Sequence, residues 1–250
     1  MIPVHGIPYL NRPDLLARCI KSIDYPVDQL VLIDNSNGTL ERLGYGFGIH
    51  PLHNTQIRTL HLVQHANAGV AASWNEIITL FPTKWWLIVN NDIQFTPGDL
   101  RKMDTAMLNA RLTVGMAYGN HRASWFGITE FGVREVGLFD ANFYPAYLED
   151  CDWSYRADLL DVQRINVHDC HAVHGDRKLT GSCTIYSDPR IQRNNARTHE
   201  QNFTYYRQKW GGINSREIYK TPFNDPKWPV WAWKFDPAIR ARQTQLWEAK

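Results

Sequence analysis

The apolar residues of positions 1–112 follow two alternating patterns. Short runs of consecutive apolar residues, such as QLVLID and WWLIV, predict strands that are covered on both faces of a sheet. Between them, PDLLARCIKSI and AGVAASWNEIITLF carry apolar residues every three or four positions, which predicts helices that pack by one face. The order strand, helix, strand, strand, helix, strand, helix predicts an α/β fold with a mainly parallel, doubly wound sheet.

Proline, glycine and capping residues set the limits of the predicted elements. In the first half, we expect strands at residues 2–5, 29–34, 57–63 and 85–89. We expect helices from Asn11 to Pro26, at residues 68–81 and from Thr96 onward, and a loop at residues 35–56. The second half predicts a helix at residues 149–161, a strand at residues 162–169 and a helix that ends at Trp210. The segment PKWPVWAWKFDP contains too much proline for a regular element.

Composition places the chain among soluble globular proteins. The apolar fraction of 44% and the charged fraction of 21% are ordinary for that class, and a net charge of +2 gives no sign of polyanion binding. No signal peptide and no apolar run of the roughly 20 residues that span a bilayer are seen. The four cysteines form no CxxC pair, which argues against a zinc site and favours a reducing compartment. We therefore expect a cytoplasmic protein, with a membrane contact that is at most peripheral.

Polar residues follow three of the predicted strands at their carboxyl ends. Asp34 ends one strand, Asn90, Asn91 and Asp92 end another, and the Asn67–Gly69 segment lies between a third strand and its helix. Ligands of open parallel sheets bind at this edge, and a helix that starts near Gly69 would suit a diphosphate. Asp and Asn are also common turn residues, so for Asp34 alone the two interpretations are even, but the three ends together favour a ligand site. The chain has neither GxGxxG nor GxxxxGK[ST], which argues against a dinucleotide site and a P-loop.

An acidic cluster begins the predicted helix at residue 149. Glu149, Asp150 and Asp152 lie within four positions, so their mutual repulsion should raise the pKa of at least one carboxyl group. A raised carboxyl pKa suits a general base near neutral pH. The spacing alone is explained equally well by the preference for acidic residues in the first turn of a helix.

Several stretches, in order, resemble a family 2 glycosyltransferase with a GT-A fold. The first is PV…NRPDLL…IKSI…LVLIDNSN…NAGVAASWN…LIVNND…P…L. Later, VGLFDANFYPAYLEDCDWSYR is similar to the acceptor segment FDxxFFxYxEDxD of that family, and AVHG…GSC and NFTYYRQKWG resemble its late elements. The similarity covers roughly residues 1–211 and is closest to the subgroup that acts on surface glycans, including rhamnosyltransferases.

The resemblance implies a Rossmann-like GT-A catalytic domain at residues 1–211. Its nucleotide-sugar-binding half would be residues 1–112, and its acceptor half residues 113–211. Residues 212–250 do not match and would form an aromatic-rich tail that wraps the domain and covers the acceptor cleft.

The resemblance also implies a UDP-, dTDP- or GDP-sugar donor and a divalent metal, Mn²⁺ or Mg²⁺. The implied donor contacts are Pro3 and Val4 in the base pocket, Asp34 at the base, and Asn67, Gly69, Asn91 and Asp92 along the nucleotide. Asn90 stands where many relatives have the first Asp of a DxD motif, which leaves Asp92 as the metal carboxylate. His174 is a candidate second metal ligand, or an ordinary hydrogen-bonded histidine.

The match to the acceptor segment assigns Asp150 as the general base of an inverting transfer. Glu149 and Asp152 would bind acceptor hydroxyls or orient Asp150. The acceptor stays open: a glycan, a glycolipid, a protein or a modified nucleic-acid base. Five aromatic residues are either acceptor platforms or core packing: Trp125, Phe126, Tyr144, Tyr147 and Trp153. Three arginines form either a phosphate-binding stripe or a solvated face: Arg190, Arg193 and Arg197.

Two other functions compete with glycosyl transfer. A nucleotidyltransferase of the same fold would need a basic, glycine-rich loop after the first strand, and HGIPYLNRP has one Gly and one Arg. A non-catalytic sugar-binding module would not need the acidic cluster.

Overall fold

The computed structural model describes residues 1–45, 54–176 and 183–248. Its strands are β1 (Ile2–Tyr9), β2 (Val27–Asp34), β3 (Ile57–Gln64), β4 (Trp85–Val89), β5 (Ile93–Gln94), β6 (Val114–Gly119), β7 (Arg122–Thr129), β8 (Gln163–Asn166) and β9 (Val173–His174). Its helices are α1 (Pro13–Lys21), α2 (Thr39–Arg42), α3 (Val70–Leu80), α4 (Asp99–Ala110), α5 (Glu130–Val136), α6 (Glu149–Leu159), α7 (Cys183–Tyr186), α8 (Pro189–Trp210) and α9 (Pro237–Glu248).

Seven strands form one sheet, in the order β3-β2-β1-β4-β7-β6-β8. The pairs β2–β3, β1–β2, β1–β4 and β6–β8 are parallel, and β7 runs antiparallel to both of its neighbours. Strands β5 and β9 form a separate antiparallel pair. The predicted α/β fold with a mainly parallel sheet is therefore confirmed.

The hydrophobic core lies in two layers, one on each face of the sheet. Alternate residues of a strand enter different layers: Leu30 and Leu87 pack with α1 and α4, whereas Val31 and Ile88 pack with α3. Trp153 of α6 extends the second layer. Covering on both faces explains why the strands read as continuous apolar runs.

The first strand is longer than predicted. The sequence predicts residues 2–5, but β1 continues to Tyr9 and pairs with β2 from Ile2 to Tyr9. Gly6 lets α3 pack closely on β1, since a Cβ atom there would lie 2.5 Å from the Ile77 side chain. The carboxyl end of β1, where ligands bind, therefore lies four residues later than expected.

Other limits also differ from the prediction. The helix α1 is capped by Arg12 in a left-handed conformation, whereas Asn11 donates from Nδ2 to the Thr184 carbonyl. The predicted loop 35–56 contains α2, and its residues 46–53 lie outside the described ranges. The helix that ends at Trp210 is confirmed, with Gly211 in the left-handed conformation as its stop. The helix α9 in the tail was missed.

No helix among the described residues combines the length and the apolar character needed to cross a bilayer.

Candidate active site

A cleft of about 470 Å³ opens at the carboxyl edge of the parallel strands. It is bounded by the residues after β1 and β4, the start of α3 and the start of α6. Of the residues predicted from sequence, the cleft brings together Asn67, Gly69, Asn91, Asp92, Glu149, Asp150 and His174. Residues from three separate strand ends and two helix starts thus meet in one place, as expected for a ligand site in an open sheet.

The small sheet β5–β9 holds His174 beside Asp92. Ile93 pairs with His174, and the Gly175 N–H donates to the Asp92 carbonyl at 2.9 Å. In the Asp92 side chain, Oδ2 accepts the Cys183 N–H at 3.0 Å, and Oδ1 lies 3.3 Å from His174 Nε2. That Nε2 atom is buried and makes no hydrogen bond in the described part of the chain.

These two atoms fit a divalent cation. Neighbouring ligands of an octahedral ion, each about 2.1 Å from it, lie about 3.0 Å apart, which is close to the observed separation of Asp92 Oδ1 and His174 Nε2. Within residues 1–45, 54–176 and 183–248, no group of three or more His, Cys, Asp or Glu side chains is arranged to hold an ion. Such an ion would therefore take most of its ligands from phosphate and water, as Mg²⁺ and Mn²⁺ sites on nucleotides do.

Asn91 has a structural role that the sequence did not indicate. Its Nδ2 donates to the Asn11 carbonyl at 2.9 Å, and its Oδ1 accepts from Thr184 Oγ1 at 3.2 Å. The side chain is buried and ties the end of β4 to the segments before α1 and within α7. One N–H and one lone pair of the amide are therefore used within the protein, and the predicted contact with a donor stays a prediction.

The loop before α3 is fixed by local hydrogen bonds. Asn67 Oδ1 accepts the Gly69 N–H at 3.0 Å, and Asn35 Oδ1 accepts the Ala68 N–H at 3.0 Å. Gly69 has a φ of 87°, and a Cβ atom there would lie 2.9 Å from Tyr144. The Val70 N–H is bonded to the Pro145 carbonyl at 2.7 Å, so one of the helix-start donors expected to face a diphosphate is already used.

Three predicted nucleotide-binding residues lie away from the cleft. Val4 is fully buried in the core and Pro3 precedes it in mid-strand, because β1 ends at Tyr9. Asp34 is also fully buried, and its carboxylate accepts the Ser36 N–H at 2.9 Å and the Leu40 N–H at 2.9 Å. It holds the turn into α2. At the strand end, the cleft is lined instead by Pro8, Tyr9 and Leu10.

Two carboxyl groups of the acidic cluster border the cleft. Glu149 is buried, its Oε2 has no hydrogen-bond partner among the described residues, and burial raises its pKa well above the usual range. Burial also raises the pKa of Asp150, against hydrogen bonds from Cys151 and the opposing charge of Arg122. The pKa is thus raised at both positions mainly by burial, and the repulsion expected from the sequence adds to it only at Glu149, from Asp150.

Asp152 faces the core, which corrects its predicted catalytic role. Its carboxylate is fully buried and lies 2.6 Å from Lys209 Nζ, 2.9 Å from Arg156 Nε and 2.8 Å from Trp210 Nε1. Burial favours protonation of Asp152, but the two cations outweigh it and lower the pKa. Lys209 also pairs with buried Asp140 at 2.7 Å. Asp152 thus joins α6 to α8 and cannot contact an acceptor.

The candidate aromatic platforms are divided between the core and the cleft. Trp125, Phe126 and Trp153 are buried in the core, and Tyr144 is stacked under the Arg240 guanidinium at 4.2 Å. Tyr147 does line the cleft. The arginines of the predicted basic stripe are exposed on α8 and do not line the cleft: Arg190, Arg193 and Arg197. Gly181 and Ser182 of the late motif lie outside the described ranges.

Several cleft residues were not predicted from sequence. Arg122 closes the turn between β6 and β7 with a φ of 47°, and the preceding Gly119-Asn120 is a hairpin signal that could have drawn attention to it. His121 stacks near His174, with ring centroids 5.4 Å apart. The hairpin signal locates the turn but does not mark either side chain as a site residue, because the position of these side chains depends on how the hairpin meets the β4 edge.

The C-terminal tail reaches the cleft. In α9, Trp247 lines it, the Trp247 carbonyl accepts from Asn194 of α8, and Gln243 is buried. Arg240 of the same helix donates to the Ala68 carbonyl at 2.8 Å, beside the loop before α3. The tail is thereby attached to the wall of the cleft.

Comparison with solved structures identifies the fold. The chain superposes on a mannosyltransferase from Pyrobaculum calidifontis, solved with GDP-Man and Mn²⁺, with a TM-score of 0.58 and 16% identity, covering 100% of this chain and 71% of that one. The chain has a GT-A fold. It also superposes on TarS residues 1–349 of S. aureus, with a TM-score of 0.52, 13% identity and coverage of 70% and 60%; a second TarS structure contains UDP.

In sequence, the similarity is narrower. A galactofuranosyl glycosyltransferase of Leishmania donovani is 37% identical over 54 residues, which are 21% of this chain and 12% of that protein. No protein-family model matches the chain.

Proposed function

We propose that the protein transfers a glycosyl group from a nucleotide-sugar donor to an acceptor hydroxyl. The observation that carries the proposal is the shared cleft: Asp92 after β4 and His174 of β9 border the same space as the half-buried carboxyl of Asp150, whose pKa is raised. The GT-A fold, and the nucleotides bound by two of its structural neighbours, support this assignment.

In the proposed reaction, Asp150 acts as the general base. Its carboxylate takes the proton of the acceptor hydroxyl while that oxygen forms a bond to the anomeric carbon of the donor. The bond from this carbon to the diphosphate oxygen breaks, and the nucleoside diphosphate leaves with the electron pair. A single base that serves an incoming hydroxyl, with the leaving group on the opposite side, inverts the anomeric configuration. Glu149 borders the same cleft and would bind an acceptor hydroxyl or orient Asp150; burial, and after it the charge of Asp150, raises its pKa.

Asp92 Oδ1 and His174 Nε2 are the atoms that would hold a divalent cation. A bound ion supplies charge stabilisation for the departing diphosphate. A nitrogen ligand favours Mn²⁺ over Mg²⁺. The neighbour from Pyrobaculum calidifontis was solved with Mn²⁺.

The finer assignments follow the family resemblance. The donor would be a UDP-, dTDP- or GDP-linked hexose or deoxyhexose, and the enzyme would belong with the surface-glycan, rhamnosyltransferase-like group of family 2. The acceptor would be a glycan or glycolipid, and the protein would act in the cytoplasm or at a membrane surface.

A thermal-shift screen of UDP-, GDP-, dTDP- and CMP-sugars, with and without Mn²⁺, tests the donor assignment. We expect one nucleotide class to raise Tm, with a larger shift in Mn²⁺ that Asp92→Ala removes. If no nucleotide stabilises the fold, the transferase proposal is wrong. Release of pyrophosphate from a nucleoside triphosphate would instead indicate the nucleotidyltransferase alternative.

A substitution at the base tests the chemistry. Asp150→Asn should keep the donor-induced Tm shift and lower the rate of transfer by roughly 10²–10⁴-fold. Asp161→Asn is the matched control, since it makes the same change at an exposed turn just after α6. Full activity of Asp150→Asn would remove Asp150 as the base. Ligand binding without transfer by the wild type, unchanged in Asp150→Asn and Glu149→Gln, would favour a non-catalytic sugar-binding module.

A further inference from the structure

A second cavity, of about 500 Å³, adjoins the cleft. The two spaces share Arg122, Ala123 and Asp150 in their linings. The proposed base therefore stands on the wall between them. The volume of the second cavity is within the range of about 300–1,000 Å³ that is usual for small-molecule sites.

The periodicity of α6 creates this cavity. Its core face carries Glu149, Asp152, Trp153, Arg156 and Ala157, which are all buried. The opposite face carries Asp150, Cys151, Ser154, Tyr155 and Asp158, all of which line the second cavity. The spacings of one, three and four residues put these positions on one side of the helix.

The other walls are also regular. Arg164 and Asn166 are two residues apart on β8, so their side chains point to the same side of the strand. Tyr118 of β6 is the register partner of Asn166. Asn214 and Glu217, in the segment after α8, complete the rim.

The lining of the second cavity is rich in hydrogen-bonding groups. Arg164 Nη2 pairs with Asp158 at 2.5 Å, and Tyr118 Oη lies 3.1 Å from Ser154 Oγ. Asn166 and Asn214 are exposed, and their side chains make no hydrogen bond in the described part of the chain, so they can serve a ligand. Both donors and acceptors are present, alongside the rings of two tyrosines.

The charges of the lining indicate the class of ligand. Three carboxylates, Asp150, Asp158 and Glu217, stand against two guanidinium groups, Arg122 and Arg164. A lining with more acids than bases repels phosphate-rich ligands, whereas the hydroxyls of a neutral sugar can both donate to carboxylates and accept from guanidinium and amide groups.

We propose that the second cavity is the acceptor subsite, and that it binds a neutral glycan whose reactive hydroxyl meets Asp150 at the shared wall. This inference rests on the proposed glycosyl transfer. It gives the two cavities separate roles, with the donor in the cleft and the acceptor in the space behind Asp150.

Filling the second cavity tests the assignment. Asn166→Trp places a large side chain in it from an exposed edge strand, and Asn214→Trp does so from the rim. Gln163→Trp is the matched control, because Gln163 is exposed on the same strand and does not line the cavity.

The probes are octyl glycosides of glucose, galactose, mannose and rhamnose, with farnesyl phosphate and a short single-stranded DNA as the phosphate-bearing comparison. Binding is read by saturation-transfer NMR, and donor function by the nucleotide-induced Tm shift and by hydrolysis of the donor to free sugar.

We expect at least one octyl glycoside to bind the wild type, and both tryptophan variants to weaken its binding by at least 20-fold. The donor Tm shift should stay within 2-fold in all three variants, and the control Gln163→Trp should also keep the rate of donor hydrolysis within 2-fold. Normal glycoside binding in both cavity variants, or selective binding of the phosphate-bearing probes at this cavity, would overturn the inference, as would the absence of any glycoside binding. If no nucleotide sugar shifts Tm or is hydrolysed, the proposed function itself fails, whatever the glycosides do.

Discussion

The buried charge cluster between α6 and α8 gives the most direct quantitative prediction. Lys209 lies between Asp140 and Asp152, at 2.7 Å and 2.6 Å, and Arg156 lies 2.9 Å from Asp152. All four side chains are fully buried, so the two cations balance the two carboxylates away from water. Lys209→Met keeps a similar side-chain length and removes one positive charge.

The cost follows from the charge that is left behind. After the substitution, one buried carboxylate has no cation, and removing one partner of a buried pair typically costs about 3–5 kcal/mol. For a chain of this size, about 2–4 °C is lost per kcal/mol, so Tm should fall by about 6–20 °C. Lys209→Met with Asp140→Asn removes one charge of each sign and should recover at least half of the loss.

Urea unfolding followed by tryptophan fluorescence and circular dichroism measures these differences. Lys84→Met is the control, because Lys84 pairs with Glu130 on the surface, where such a pair contributes little. A loss below about 1 kcal/mol for Lys209→Met, or a double variant less stable than the single one, would refute the reasoning.

Three further predictions concern the cleft. Arg122→Gln should move the acidic limb of the pH–rate profile to higher pH, because Arg122 lowers the pKa of Asp150; an unchanged limb contradicts this. The Tm of Glu149→Gln, relative to that of the wild type, should increase as pH rises from 5 to 8. A carboxyl group with a higher pKa in the folded than in the unfolded state makes the protein less stable as pH rises, and the Gln variant lacks this group. A difference in Tm that does not change with pH would argue against this. Gly69→Ala should cost roughly 1–3 kcal/mol more than Gly98→Ala in urea unfolding, for two reasons: Gly69, at φ 87° and ψ 167°, adopts a conformation almost restricted to glycine, and Tyr144 and Pro145 lie against it, whereas Gly98, at φ 89° and ψ −9°, has open space; equal losses would refute this.

The location of the site could be read from the sequence. Continuous apolar runs such as WWLIV indicate strands covered on both faces, and parallel strands place their carboxyl ends at one edge. Asn67 and Asp92 therefore lie at one cleft, as expected. These inferences need only local periodicity and the handedness of strand connections, which the order of residues determines.

The end of β1 could not be predicted in the same way. Gly6 and Pro8 are typical of a turn, but β2 pairs with the strand as far as Tyr9. Hydrogen bonds from a neighbouring strand outweigh the weak local preference of these residues. The family resemblance placed Pro3 and Val4 at the site, but the residues that line the cleft from this strand are Pro8 and Tyr9.

The acidic cluster shows most clearly what the tertiary structure decides. Asp150 and Asp152 are the same residue type two positions apart, and the sequence favoured a catalytic role for both. On a helix they point about 200° apart, so one faces the cavities and the other faces the core. The carboxylate that faces the core is the one that α8 meets with Lys209 and Trp210, which lie far along the chain. The order of residues shows that three acids begin one helix; the packing of α8 on α6 sets which carboxylate is neutralised inside the protein and which faces the cleft.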